Sequence, residues 1–424
     1  MPEISETNSP AGRPLLAWSI AILISAGIAV SYLDRQTLPW VIKAVQADFP
    51  ISNQVKAVLD SAFLVTYGLM YLGGGWLLDR IGTRKGFLLI MSFWSLACDS
   101  HGLARNAVSL GVSRLLLGIG EGGGFPAATR AVAEWYSPKQ RAFAMGIING
   151  GTAVGAVAAP PLIVWILTNA HWLGFASWRW VFFITGSIGL FWALLWALVY
   201  ATPSRPIGQP DMVAKGDAIS VSMLIAHKEV IGIVFAKFLS DAAWFFYLFW
   251  LPKYLFEAQH FDLKQAGSIG WIPYAASGLG CLLGGGFSSY LLHRGFSVNA
   301  SRKLALGASA AMMPWVMLVP YMPNVGWVLF LFSLAFFGQQ SWSTLVMILP
   351  TDLVPHRALG KLAGLVGMGG AMGGVLLGQL AGWLLDNGFS YTPVLCIAAS
   401  LHVIAFGVIC LAIPRIQFLR FGRS

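Results

Sequence analysis

Long apolar runs separated by short polar loops cover almost the whole chain. A helix needs roughly 20 apolar residues to cross the hydrocarbon of a bilayer. The runs do not alternate between apolar and polar residues, as the strands of a membrane barrel would. The pattern predicts an all-α membrane protein with twelve transmembrane helices, at 15–41, 56–78, 86–104, 107–127, 142–167, 178–200, 229–255, 267–292, 302–321, 326–349, 360–385 and 391–413.

The longest polar stretch follows the sixth run and divides the chain. We expect an N-terminal six-helix bundle at 1–200, a cytoplasmic linker at 201–228 and a C-terminal six-helix bundle at 229–424. The fifth runs of the two halves are alike, "AMGIINGGTAVGAV" (144–157) and "KLAGLVGMGGAMGGV" (361–375). They place Gly146, Gly151 and Gly155 against Gly364, Gly369 and Gly373. Two like-oriented repeats are typical of a transporter, although Gly-rich helices also resemble each other by chance.

The composition of the chain indicates that it is surrounded by lipid and not by water. Of 424 residues, 57% are hydrophobic and 10% are charged, whereas soluble proteins carry about 25% charged residues. The net charge of +10 does not indicate nucleic-acid binding, because the basic residues are scattered over short loops. The cysteines lack metal-ligand spacing and read as small core residues. We therefore expect a lipid-embedded chain with no metal and no cofactor.

Basic residues orient the chain through the positive-inside rule. If the N-terminus is cytoplasmic, 18 of the 27 Lys and Arg residues fall on the cytoplasmic side and six fall outside. The six are Lys43, Lys56, Arg105, Arg179, Lys253 and Lys264. Arg35, Arg114 and Lys237 lie within spans. This bias predicts that both termini are cytoplasmic.

The loop "GGWLLDRIGTRKGF" between the second and third spans resembles the G-x-L-x-D-R-x-G-x-R-K loop of the major facilitator superfamily. The resemblance implies a gating latch built from Asp79, Arg80, Arg84 and Lys85. The alternative is that the basic residues act only as topology charges. The matching loop of the second half, "GFSSYLLHRGFSVNASRK", has no aspartate, so any latch there is expected to be weaker or differently built.

Three further stretches are similar to the anion:cation symporter family, which includes bacterial hexuronate and aldonate transporters. They are "YLDRQTL", "RLLLGIGEGGGFPAATRAVAEWYSPKQRAFAMG" and "FWLPKYL". The resemblance implies a monomeric proton-coupled symporter in a bacterial inner membrane, importing a small organic anion. It also implies that Asp34 and Glu121 carry protons and that Arg35 binds the substrate carboxylate. Most of the likeness is to hexuronate (galacturonate or glucuronate) carriers, but Asp34 fits the aldonate pattern, so a galactonate-type substrate stays open.

Other classes of function fit less well. A drug/proton antiporter usually has a proline after the second glycine of its fifth span, whereas Ala156 follows Gly155 here. A receptor or a membrane enzyme is a further alternative. The chain has no P-loop, no HExxH and no nucleophile elbow. We therefore expect transport rather than catalysis.

Six ionisable residues that lie well inside spans are the strongest functional candidates, because each ionised group costs about 3 kcal/mol or more at the bilayer centre. They are Asp34, Arg35, Arg114, Glu121, Lys237 and Asp241. Arg35 shares a helix face with Tyr32, and Asp34 points about 100° away. Arg35 therefore suits a substrate carboxylate, while Asp34 could carry a proton; an Asp34–Arg35 ion pair is the alternative.

Arg114 lies about 10 Å along the helix axis from Glu121, on the same face. We expect Glu121 to bind and release a proton, with a permanent salt bridge as the alternative. The family resemblance implies that Arg114 modulates the pKa of an acid or helps neutralise substrate. Lys237 and Asp241, spaced i,i+4, favour mutual pairing as a structural or gating pair over substrate contact.

Polar and aromatic residues of the spans are candidates for binding sugar hydroxyls, although the aromatic ones also suit membrane belts or the core. They are Tyr67, Asn149, Trp244, Tyr247, Tyr274, Gln339, Gln340 and Ser343. His101 is predicted to be interfacial.

Overall fold

The computed structural model describes residues 14–136, 138–202 and 220–419. Within these residues all regular secondary structure is helical, with one 3₁₀ segment at Pro314–Tyr321. The helices are α1 (Pro14–Asp48), α2 (Asn53–Gly102), α3 (Ala107–Glu121), α4 (Gly124–Trp135), α5 (Pro138–Asn169), α6 (Ser177–Val199), α7 (Val221–Ile225), α8 (Lys228–Glu257), α9 (Leu263–Ile269), α10 (Ile272–His293), α11 (Val298–Ala311), α12 (Val325–Leu353), α13 (His356–Asp386) and α14 (Thr392–Ala412). Most of the predicted linker lies outside the described residues.

Helix α2 contains two oppositely directed segments that meet at Gly82. Its φ of +77° is a conformation that glycine adopts without steric cost. Before Gly82 the segment runs parallel to α3, and after it the segment runs antiparallel. On the first segment, Thr66 lies beside Leu115 and Met70 beside Gly122, so residue numbers rise together along the two helices. On the second segment, Ile90 lies beside Gly123 and Ser100 beside Ser113, so the numbers run in opposite directions. The second and third predicted spans are therefore separate passes of the chain.

The all-α membrane fold is confirmed, whereas the count of twelve spans stays a prediction. Among the described residues, nine helices are long and apolar enough to cross a bilayer, or ten if the bent α2 pair is one span. The predicted fourth span is broken into α3 and α4, of 15 and 12 residues. Neither alone reaches the roughly 20 residues that a crossing needs.

The two halves pack their fifth predicted span on their first in the same way. In the N-terminal half α5 lies against α1, and in the C-terminal half α13 lies against α8. At each contact a glycine Cβ would collide with the facing helix. The pairs are Gly151 with Ser25, Gly155 with Ala29, Gly369 with Val234 and Gly373 with Phe238. The repeat predicted from the glycine pattern is confirmed at these contacts.

This packing predicts that Gly155→Ala is destabilising. The new Cβ would overlap the carbonyl oxygen of Ala29, and separating two packed helices costs about 1–3 kcal/mol. We expect a lower thermal midpoint for the purified variant in detergent. Gly146→Ala is the matched control on the same helix, because its Cβ would meet no atom within 4 Å. Equal midpoints for the two variants would contradict the prediction.

The halves meet along two seams. The first segment of α2 packs on α13, where Gly68 faces Ala371. Helix α5 packs on α10, where Gly278 faces Ala153. Small residues at both seams let the helices of opposite halves come close to each other.

Candidate functional site

A cavity of about 1440 Å³ lies between the two halves. Side chains of α1, α2, α4 and α5 line it from one half, and side chains of α8, α10, α12 and α13 line it from the other. It reaches from Arg35, in the middle of α1, to Asp79, whose side chain is 79% exposed. The cavity thus ends blindly near Arg35 and opens at the end that carries the Asp79 loop.

Arg35 forms a buried ion pair with Glu121. Its Nε and Nη2 donate to Glu121 Oε2 over 3.1 and 2.9 Å, and Ser31, one turn earlier on α1, donates to the same oxygen over 3.0 Å. Both partners are 3% exposed. The third guanidinium nitrogen of Arg35 makes no ion pair among the described residues. One edge of the Arg35 guanidinium is therefore neutralised by Glu121, and its role as the ligand of a substrate carboxylate stays a prediction.

Aromatic rings surround the guanidinium of Arg35. Its Cζ lies 4.7 Å from the ring centre of Tyr67, 4.8 Å from that of Tyr32 and 5.4 Å from that of Phe63. Tyr32 and Tyr67 also line the cavity. Cation–π contacts hold the cation in place without consuming its hydrogen-bond donors. The arrangement positions Arg35 for a planar carboxylate.

Glycines bring Glu121 into this position. Glu121 ends α3, and Gly122 and Gly123 join it to α4. A Cβ on Gly122 would meet Met70 of the first α2 segment, and a Cβ on Gly123 would meet Ile90 of the second. The glycines after Glu121 thus let neighbouring helices approach closely.

Asp34 does not pair with Arg35, so the alternative of an Asp34–Arg35 ion pair is wrong for this structure. The Asp34 side chain is fully buried on another face of α1, and neither carboxyl oxygen has a hydrogen-bond partner among the described residues. Its nearest possible donors are Trp94, Cys98 and Thr185. A carboxylate without a partner is costly to bury, which suits a group that carries a proton.

A second charged network lies on the opposite wall. Lys237 Nζ lies 3.0 Å from Asp241 Oδ1 and 2.8 Å from Ser343 Oγ. Gln339 Nε2 lies 3.4 Å from the same Asp241 oxygen, and the Gln339 carbonyl contacts the buried His402 ring. The predicted Lys237–Asp241 pairing is confirmed, while its role as a gate stays a prediction. Sequence reasoning missed His402, whose partner lies 63 residues away.

Ten of the predicted site residues line the cavity, whereas Asp34, Glu121 and three residues of the loop, Arg80, Arg84 and Lys85, are not among its lining residues. Those that line the cavity are Tyr32, Arg35, Tyr67, Asp79, Asn149, Lys237, Asp241, Trp244, Gln340 and Ser343. The structure does not place Arg114, Tyr247, Tyr274 or Gln339 on the cavity wall: Arg114 is bound by Asp60, Gln339 by His402, and the two tyrosines pack against Phe336. Unpredicted lining residues include Tyr71, Phe125, Thr129 and Thr344. Substrate binding by any of them stays a prediction.

Arg114 belongs to a buried cluster that the sequence analysis missed. Asp60 Oδ1 accepts from Arg114 over 3.1 Å, and Asp60 Oδ2 accepts from Lys56 over 2.6 Å. Lys56 also lies 4.2 Å from the ring of Trp250, in the other half. Lys56 and Lys253, both expected as loop charges, are buried. The signal for the cluster was the i,i+4 spacing of Lys56 and Asp60.

Contacts between halves close the blind end of the cavity. The Asp386 carboxylate accepts hydrogen bonds from the backbone nitrogens of Asn53 and Gln54, over 2.9 and 2.8 Å, at the first turn of α2. Glu257 lies 3.1 Å from Lys43 of the other half. These pairs must separate before that end can open.

The Asp79 loop makes one ion pair, a hydrogen bond and a cation–π contact at the open end. Asp79 Oδ1 lies 2.5 Å from Arg130 Nη1, and Arg84 Nη2 donates to the Ala197 carbonyl over 2.8 Å. Arg80 stacks on Trp76, with 4.0 Å between its Cζ and the ring centre. Lys85 is exposed. These contacts are compatible with the predicted latch without testing it.

The second half has a counterpart to that latch which the sequence did not reveal. Arg302 Nε lies 3.0 Å from Asp352 Oδ2, and its Nη1 donates to Ser288 Oγ over 2.9 Å. Asp352 follows Arg302 by 50 residues and lies on α12 instead of in the loop itself.

The interfacial prediction for His101 is wrong. Its side chain is fully buried, stacked on Phe182 of α6 with 4.9 Å between ring centres. The ring also contacts the Ala97 carbonyl over 2.8 Å. Because α2 continues to Gly102 and α6 covers this end, the histidine lies between helices.

Two similar helical halves around a central cavity, closed at one end and open at the other, define a membrane carrier that works by alternating access. The comparisons with known proteins give the same class. The chain belongs to the Major Facilitator Superfamily, whose sequence pattern matches residues 24–378. It is therefore a transporter and not an enzyme.

Named relatives cover most of the chain. It is 28% identical to the D-galactonate transporter of Escherichia coli O6:H1, over 90% of this chain and 92% of that one. It is 28% identical to the hexuronate transporter of Escherichia coli K12, over 91% of each, and 32% identical to the galacturonate transporter of Dickeya chrysanthemi, over 70% and 89%. A bacterial homologue of the human lysosomal transporter Spinster, in an inward-facing unoccupied conformation, shares the fold, with a TM-score of 0.73, 19% identity and coverage of 95% and 96%.

Proposed function

We propose that this protein is a proton-coupled symporter that imports a sugar acid, such as the hexuronates galacturonate or glucuronate, by alternating access. The observation that carries the proposal is the Arg35–Glu121 ion pair at the blind end of the cavity. An anion site and a proton site share one hydrogen-bonded pair there. An aldonate such as galactonate is the alternative substrate of the same site.

The ion pair couples the two ligands through charge. When Glu121 takes a proton, Arg35 loses its counter-ion and is free to bind a carboxylate. When the proton leaves, Glu121 competes with the substrate for Arg35 and favours release. Asp34, whose buried carboxyl oxygens have no hydrogen-bond partner in the part of the chain that the structure describes, is the second proton carrier. Two protons per monoanion would bring in net positive charge, worth about 2.3 kcal/mol per 100 mV.

The remaining cavity wall suits a hydroxylated substrate. Asn149, Gln340 and Ser343 offer hydrogen-bonding groups, while Trp244 and Tyr32 offer ring faces. The named relatives include carriers of galactonate, hexuronate and galacturonate, all of which are polyhydroxy monocarboxylates.

The basic loops orient the carrier in a bacterial inner membrane, with both termini in the cytoplasm and the cavity open inward. Asp79, Arg80, Arg84 and Lys85 would then gate the cytoplasmic end, while Lys237 and Asp241 link helices of the C-terminal half. The carrier acts as a monomer, and the proton is its only coupling ion.

Uptake by proteoliposomes tests the proposal. Labelled galacturonate, glucuronate and galactonate are compared with and without an inward proton gradient. We expect accumulation of at least one sugar acid above its external concentration, only with the gradient. Uptake that is indifferent to the gradient would contradict proton coupling, and uptake of none of the three would contradict the substrate class. An antiporter would instead be driven by an outward gradient.

A further inference from the structure

We infer that the Lys237–Asp241 pair sets the number of carboxylates that the cavity accepts, so that the carrier takes sugar monoacids and rejects the corresponding diacids. The inference rests on the proposed function, because it assigns the opposite end of the same substrate. It gives the pair a role in specificity, beyond the structural or gating role that its spacing suggests.

The pair faces the cavity and is fixed in place. Lys237 and Asp241 are 6% and 7% exposed and both line the cavity wall. The Lys237 ammonium lies 3.0 Å from Asp241 Oδ1 and donates to Ser343 Oγ over 2.8 Å. A Cβ at Gly370 would collide with Asp241 Oδ2, so α13 also confines the carboxylate. An anion entering the cavity therefore meets Asp241 together with a lysine that is already neutralised.

The pair lies across the cavity from the carboxylate site. Arg35 belongs to the N-terminal half and Lys237 and Asp241 to the C-terminal half. The Asp241 carboxylate is within electrostatic range of the Tyr32 and Tyr67 hydroxyls, which flank Arg35. A six-carbon acid bound by its carboxylate at Arg35 would direct its other end towards this wall.

The charge balance of the cavity fits one substrate carboxylate. The Arg35–Glu121 and Lys237–Asp241 pairs are each neutral, and the other charged lining residues, Asp79, Arg130 and Lys361, lie at the open end. When one proton binds to Glu121, the Arg35 guanidinium loses its counter-ion and becomes the one unpaired cation of these two pairs. A hydroxyl at the far end of the substrate can donate to Asp241, whereas a second carboxylate would face a like charge. Such a juxtaposition is strongly unfavourable in a desolvated site.

Asp241→Asn tests the inference by removing the repelling charge and leaving Lys237 unmatched. Proteoliposomes of wild type and variant are compared for uptake of labelled galacturonate and of galactarate, the diacid of the same carbon skeleton. We expect the galactarate-to-galacturonate uptake ratio to rise at least about tenfold. The double variant Lys237→Met/Asp241→Asn lacks both the repelling carboxylate and the unmatched ammonium, so its ratio should be lower than that of Asp241→Asn.

A measurement on the wild type does not depend on the folding of any variant. Galactarate and its monomethyl ester, which has a single carboxylate, compete with labelled galacturonate. We expect the ester to inhibit at a concentration about tenfold lower or less. Equal inhibition by the two compounds, or an unchanged uptake ratio in a folded Asp241→Asn variant, overturns the inference while leaving the proposed function intact. Failure of the wild type to bind or take up any sugar monoacid overturns both.

Discussion

Replacing Arg35 with alanine is expected to abolish sugar-acid uptake. The substitution removes the cation from the blind end of the cavity and leaves Glu121 buried without its partner. Removing the cation that pairs with the buried carboxylate of the bound substrate costs about 2–5 kcal/mol of binding free energy. At about 1.4 kcal/mol per factor of ten, substrate affinity should fall by about 30-fold or more. Equilibrium binding of labelled galacturonate to the purified protein measures this directly.

Two further variants separate charge from geometry. Arg35→Lys keeps the charge but loses the planar fork that holds Glu121 through two nitrogens, so we expect weak binding that does not reach the wild-type level. Arg105→Ala removes an exposed arginine outside the cavity and should leave binding unchanged. Wild-type affinity in Arg35→Ala would refute its role as the carboxylate ligand.

The fold was largely predictable because hydrocarbon imposes a simple rule on length and polarity. Apolar runs located helices such as α6 and α14 without any knowledge of their partners. The broken span α3–α4 and the reversal at Gly82 were less visible. Both depend on glycines whose neighbours lie in other helices, so hydropathy alone does not report them.

The charged residues of the site were predictable one by one, but their partners were not. A charge inside an apolar run is conspicuous, so Arg35, Glu121 and Lys237 could be found directly. The Arg35–Glu121 pair joins residues 86 positions apart, and only the packing of α1 on the α3–α4 joint brings them together. Asp60 was missed because it follows Lys56, which was assigned to a loop. The same i,i+4 spacing was informative at Lys237 and Asp241.

Glu121→Gln is expected to uncouple transport from the proton gradient while preserving exchange of substrate. Glutamine keeps the size and one carbonyl acceptor of Glu121, but it cannot take or release a proton. Arg35 then lacks a competing carboxylate in every state, so it can bind substrate on either side. A one-unit pH gradient is worth about 1.36 kcal/mol per proton, or about tenfold accumulation for each proton coupled. We expect the variant to lose the share of this accumulation that Glu121 provides.

Two assays on the same proteoliposomes distinguish uncoupling from simple loss of function. In counterflow, where internal unlabelled substrate exchanges for external label without a gradient, Glu121→Gln should take up label at a substantial fraction of the wild-type rate. In gradient-driven uptake it should accumulate at least about tenfold less. Glu229→Gln, at the first turn of α8 and outside the cavity, serves as the matched control and should behave like wild type in both.

Because release of substrate depends on the carboxylate returning to Arg35, the wild type should also bind more weakly as the pH rises, whereas binding by Glu121→Gln should be much less sensitive to pH. Retention of full gradient-driven accumulation by Glu121→Gln would remove this residue from the coupling mechanism and leave Asp34 as the candidate proton carrier.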